Sequence, residues 1–143
     1  MQRAALIADL ERNREAILAC FAQGEGRLDR CYAPGKWSAG QVLSHVCDVE
    51  LVNLWRFLRA VAEPESLVEV FDENRWAIRL DYLHRPARVN RDLFEGNRGL
   101  LLHVMATAPD EVLQSSCRHP EKGEMSGLQW ARLIIDHAEH HVG

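Results

Sequence analysis

Apolar side chains recur at intervals of three and four residues along most of this chain, and that regularity restricts it to a helical architecture. Strand-favouring residues are scarce, with one Thr, two Tyr and little strict alternation. An all-α domain follows. The spacing predicts a first helix from about Gln2 to Ala22, with Ile7, Leu10, Ile17 and Phe21 on one stripe and Gly24 and Gly26 closing it.

A second helix opens at Ser38-Ala-Gly-Gln41, a capping box in which the hydroxyl and the glutamine satisfy each other's backbone N–H groups. It runs to about Val61, a rod of roughly 36 Å, with Val42, His45, Val49 and Val52 on one face and Leu51, Leu54, Leu58 and Val61 on another. A long connection follows, carrying a short helix from Asp72 to Leu83. Pro86 suits the first turn of a third long helix, marked by Val89, Leu93, Leu100, Leu101 and Val104 and ending near Ala108-Pro109. Gly96 and Gly99 weaken it. Residues 109–125 read as a loop with one helical turn after Asp110. Ser126-Gly-Leu-Gln129 then repeats the capping signal and starts the fourth helix. Four long helices with one substantial connection make a four-helix bundle.

At 143 residues the chain has room for one domain, and 47% apolar with 27% charged residues is a globular composition. A net charge of −4 lacks the broad positive field that nucleic-acid binding requires. Asp9 and Glu11 interrupt the N-terminal apolar run before a signal-peptide core, and no apolar stretch reaches the roughly twenty residues that span a bilayer. A cytoplasmic protein with no membrane partner is expected. Cys20, Cys31, Cys47 and Cys117 show no C-x-x-C pairing and read as reduced thiols, Cys47 as a small core residue.

The chemistry concentrates in His137-Ala-Glu-His140-His141. Residues four apart share a helix face, so His137 and His141 can present imidazoles to one ion, and they continue the stripe of Trp130, Leu133 and Ile134 into the bundle. His45 stands seven residues past its cap; if the second and fourth helices run antiparallel, the three histidines come level. Three neutral imidazoles leave a coordination position open on a divalent metal. Zinc, nickel or iron would suit them. Against this, histidines near a helix C-terminus also interact favourably with its dipole. His45, alone among valines, needs a polar partner if buried.

His140 competes with His141 by its i, i+3 spacing to His137, and the inward stripe favours His141. Asp48, Glu50 and Glu139 could fix an imidazole tautomer as carboxylate acceptors, though solvated charge is the commoner role for each. His84, His103 and His119 read as surface or rim residues. Trp37, Trp55, Trp76 and Trp130 read as core or subunit contacts. Ala138 occupies the position where H-E-x-x-H proteases carry glutamate, which excludes that route.

Three stretches together resemble the DinB/YfiT-like superfamily: Lys36-Trp-Ser-Ala-Gly-Gln-Val-Leu-Ser-His45-Val-Cys-Asp-Val-Glu50, His119-Pro-Glu-Lys-Gly-Glu-Met-Ser126 and His137-Ala-Glu-His-His141-Val-Gly. Phe71-Asp-Glu-Asn-Arg-Trp76 adds to the match. The resemblance implies an up-down-down-up four-helix bundle holding a divalent metal by one histidine of the second helix and an H-x-x-x-H pair of the fourth, here His45, His137 and His141. Family activities include thiol S-transferases using bacillithiol or mycothiol and mycothiol-dependent maleylpyruvate isomerases. The implied function is therefore a metal-dependent thiol transferase or hydrolase acting on a small electrophile, with a low-molecular-weight thiol as co-substrate. A non-catalytic metal-binding or stress-response protein is the alternative. A homodimer is also expected. Family members usually continue the last helix beyond the position of Gly143, which leaves the pocket edge as the point of departure.

Overall fold

A computed structural model describes residues 2–22 and 37–142. In chain order the elements are α1 (Gln2–Phe21), α2 (Ala39–Ala62), α3 (Glu73–Arg79), a single 3-10 turn (Tyr82–His84), α4 (Ala87–Thr107), α5 (Asp110–Leu113), β1 (Ser116–His119), β2 (Gly123–Ser126) and α6 (Gly127–Val142). The glycines expected to close the first helix, and Cys31, lie outside the described residues.

Both capping boxes form. Ser38 Oγ accepts from the Gln41 N–H at 3.1 Å while Gln41 Oε1 accepts from the Ser38 N–H at 2.8 Å, and Ser126 with Gln129 repeats both distances. These boxes fix where α2 and α6 begin, and hence the height at which each helix presents its histidines.

Contacts between helices set the topology. Along α2 and α4, Ser44 meets Asn90 and Glu50 meets Arg98, so the two run parallel. Leu10 and Asn13 of α1 meet Arg98 and Ile17 packs with Phe94, so α1 runs against α4. His45 meets His137 and Arg56 meets Trp130, so α6 runs against α2. The order is up-down-down-up. Two parallel neighbours need a connection that travels back along the bundle, which is why residues 63–86 are long.

Two apolar clusters fill the interior. One holds Ile17, Cys47, Phe94 and Ala138; the other holds Leu10, Leu54, Leu101 and Trp130. Between them, one turn from each, lie Asn13, Glu50 and Arg98. Arg98 is wholly buried and donates to both Glu50 oxygens at 2.7 Å, to the Leu10 carbonyl at 2.8 Å and to Asn13 Oδ1 at 3.0 Å. Glu50, expected at the surface, is thus the partner of a buried cation.

Three further expectations are corrected. Residues 116–126 form a β-hairpin rather than a loop, with Gly123 at φ 73° where the strand restarts. The edge of β1 also bonds the α2–α3 connection, with Val68 N–H donating to Arg118 O at 2.9 Å and Arg118 N–H to Ser66 O at 2.8 Å. The helix expected over Asp72–Leu83 stops at Arg79, and the chain reverses at Asp81, whose φ is 51°. The buried stripe of α4 is Asn90, Phe94, Arg98, Leu101 and Met105, while Val89 and Leu100 face solvent. Of the tryptophans, Trp130 is fully buried and Trp55 exposed.

Candidate metal centre

His45, His137 and His141 meet where the start of α2 packs against the end of α6. Each offers one ring nitrogen, and the three nitrogens lie within 4.8 Å of one another. His45 Nε2 and His137 Nε2 stand 3.1 Å apart. Two nitrogens each ~2.1 Å from one ion are separated by roughly 3.0–3.4 Å for angles between a right angle and tetrahedral, so this spacing fits shared coordination. The rings meet edge to face, with centroids 5.0 Å apart for His45–His137, 4.9 Å for His45–His141 and 4.6 Å for His137–His141.

The electrostatics keep these rings neutral. Burial first, with the neighbouring His45, His141 and His140 adding to it, pushes the His137 pKa down to about 3. Burial likewise lowers His45, opposed by the negative fields of Glu73 and Asp48. His141 falls for the same first reason, with His45 and His140 adding to it. Neutral imidazole is the form that ligates. The donor set therefore fits a divalent ion of borderline softness: three nitrogens and no competing protons near neutral pH.

The remaining candidates fall elsewhere. His140 is exposed, its ring 5.0 Å from that of His141. Glu139 is exposed as well. Asp48 is buried, but its carboxylate accepts from Tyr82 Oη at 2.7 Å and from Arg85 at 2.6 and 3.0 Å. The buried Nδ1 of His45 has no hydrogen-bond partner among the described residues. Asp48 thus anchors the 3-10 turn over α2, and Trp37 covers the His45 ring at 5.3 Å.

His84 and His103 are exposed as expected, whereas His119 is buried. Its Nδ1 accepts from the N–H groups of Glu121 and Lys122, both at 3.1 Å, and closes the hairpin turn. Cys47 is buried and donates to the Asn90 carbonyl at 3.4 Å; burial pushes its thiol far up. Cys20, Cys47 and Cys117 are free thiols. Sequence reasoning passed over Glu73, the first residue of α3, although it lies within the quoted stretch Phe71–Trp76; its negative field raises the His45 pKa against burial.

The sequence profile of the DinB superfamily matches residues 9–143. The chain belongs to the DinB superfamily. A DinB relative from Oceanobacillus iheyensis, named as a candidate metal-dependent hydrolase, is 27% identical over 115 residues, 80% of this chain and 66% of that protein. One of the same name from Halalkalibacterium halodurans is 26% identical over 118 residues, 82% of this chain and 68% of that protein. The chain spans about two thirds of the length of these relatives.

Among solved structures, YfiT from Bacillus subtilis, described as a probable metal-dependent hydrolase with an unusual four-helix bundle topology, matches with a TM-score of 0.85 at 21% identity. The match covers 98% of this chain and 81% of that one. TT2238, a four-helix bundle protein, matches at 0.68 and 23% identity, covering 98% and 94%. Both likenesses are of fold. Among the described residues no helix is long and apolar enough to cross a membrane.

Proposed function

We propose that this DinB-superfamily chain holds one divalent metal ion through His45, His137 and His141 and acts on a small electrophilic molecule, by hydrolysis or by transfer of a low-molecular-weight thiol. The carrying observation is that ring nitrogens from two helices lie within 4.8 Å of one another while burial keeps the rings neutral. The names of the relatives support the metal-dependent part of this reading. A bound ion would supply Lewis acidity at an open position, where water or a thiol loses its proton near neutral pH.

The protein's own residues do the rest. His45, 3% exposed and covered by Trp37, is the most buried member of the set. His137 and His141 ride on the last turns of α6, so their spacing follows from helix geometry. The ion pair of Arg85 with Asp48 and the Tyr82 hydroxyl pin the 3-10 turn beside the site.

A second reading has its own support: the cluster joins α2 to α6, so an ion there would clamp the bundle without catalysing anything. Elemental analysis of protein made without a histidine tag decides whether the ion is present. Equimolar zinc, nickel or iron is expected, with His45→Ala and His141→Ala empty and His140→Ala still loaded. Equal loss in all three variants would overturn the ligand assignment. Turnover of activated esters and alkyl halides, with and without added thiol, then separates enzyme from clamp.

A further inference from the structure

A groove of about 560 Å³ runs beside α2, open to solvent and walled by Leu51, Trp55, Leu67, Val70, Phe71 and Trp76. Trp55, Leu67 and Val70 are 56%, 68% and 52% exposed, an apolar concentration that a solvated surface does not favour. Arg56, Arg59 and Glu69 supply its polar lining.

Arg56 differs from the two other arginines drawn into this fold. Arg98 is paired with Glu50 and Arg85 with Asp48. Arg56 is 6% exposed, yet among the described residues no carboxylate lies within 4 Å of its guanidinium. It donates to Asn53 Oδ1 at 3.0 Å and to the Glu69 carbonyl, and stacks with Phe71 at 5.7 Å and Trp130 at 5.5 Å. Two of its five donors are engaged in those bonds, and among the described residues its charge has no adjacent counter-ion. Burial lowers its pKa, opposed only by the fields of Cys117, Glu121 and Glu73. A buried cation in this state is stabilised by any anion that can reach it.

We propose that this groove binds an organic anion, an apolar body lying against Trp55, Phe71 and Trp76 with its carboxylate or sulfonate on Arg56. Val52, which lines the groove, follows His45 by two turns on the same face of α2, and α3 with Trp76 packs across that helix. That the anion is the substrate of the metal centre rests on the reading above; that the groove binds organic anions does not.

The probes are 8-anilinonaphthalene-1-sulfonate and the uncharged N-phenyl-1-naphthylamine, which share an aromatic body and differ by the sulfonate. The wild type should bind one sulfonate probe per chain with quenching of tryptophan emission, about tenfold or more tighter than the uncharged probe. Decanoate should displace it and decanol should not. Arg56→Gln should abolish the preference while leaving the uncharged probe bound, and Trp55→Ala should weaken both. Equal affinity for the two probes overturns the proposal, as does an Arg56→Gln variant that keeps the preference. So does a sulfonate-blind dimer that Trp55→Ala dissociates, which would make the groove a contact between copies. If Arg56→Gln does not fold, the wild-type contrast between decanoate and decanol decides. His45→Ala should keep probe binding while losing metal, so failure of the metal assignment and failure of the anion groove give different results.

Discussion

Two of the polar clusters among the described residues sit at neighbouring levels of the bundle, the Glu50–Arg98–Asn13 layer complete and the histidine cluster not. In the Glu50–Arg98–Asn13 layer, the guanidinium donates four bonds and both carboxylate oxygens accept. In the histidine cluster, three neutral rings converge, two nitrogens face each other at 3.1 Å and His45 Nδ1 lacks a partner among the described residues. The first set joins α2, α4 and α1, and the second joins α2 and α6. The first consumes its hydrogen-bonding capacity within the protein; the second leaves it aimed at a common point. Burial of polar groups by itself therefore does not mark a functional site. What distinguishes one is capacity the fold does not use.

The largest test removes one side of the completed layer. Glu50→Ala leaves Arg98 buried without its carboxylate and should lower stability by about 3–5 kcal/mol. Denaturant melting of the metal-free protein would read this. Replacing both partners, Glu50→Leu with Arg98→Met, should restore most of the loss, because the cost lies in the uncompensated charge rather than in the missing pair. If the double variant is as unstable as the single one, the layer does more than neutralise itself.

The cluster should respond in the opposite sense, through addition. Free metal at a hundredfold above its dissociation constant should raise stability by about 2.7 kcal/mol, an effect that chelator reverses. His45→Ala should abolish the gain, whereas Glu50→Leu with Arg98→Met should keep it. Metal stabilisation that survives His45→Ala would place the ion elsewhere and remove the contrast.

The four long helices, the caps of α2 and α6 and the level histidines were legible because each rests on a local regularity: a period near 3.6, an S-x-x-Q box, an i, i+4 pair. Val89 and Leu100 misled because apolar character was equated with burial on α4. There Asn90 and Arg98 face inward, with partners from other helices that no single-segment pattern can reveal. Asp48, Glu50 and His119 were underestimated for the same reason. The hairpin was missed because its strands are four residues long, too short for alternation to register; Pro120 and Gly123 were its available signals. Arg56 could not be singled out, since the absence of a counter-ion is a property of the folded surroundings.

Acid sharpens the contrast by a smaller, graded amount. His137 has its pKa pushed down to about 3 in the folded protein, against about 6.5 in an unfolded chain. As pH falls the unfolded state takes up its proton first, so this contribution is fully present above about pH 6.5 and is lost as pH drops toward 3. Stability of the metal-free protein at pH 7.5, 6.0 and 5.0 should decline accordingly, and His137→Gln should flatten the decline. The depressed values also alter the expectation for metal uptake. Free imidazole would lose an ion below about pH 6.5, but here protons compete less well, so binding should persist below that point.

The smallest effect tests how complete the layer is. Asn13→Ala removes one of the four bonds made by Arg98, the 3.0 Å contact from Nη2, and leaves the Glu50 pair and the Leu10 carbonyl in place. Because the charge stays compensated, the loss should be about 1–2 kcal/mol, the order of one charge-assisted hydrogen bond, rather than that of a buried ion pair with one partner removed. A loss as large as that of Glu50→Ala would mean that the layer behaves as one cooperative unit. In that case its completeness would depend on every member, and the distinction from the histidine cluster would be one of kind, since that cluster should tolerate loss of His137 in the metal-free state with a gain at low pH.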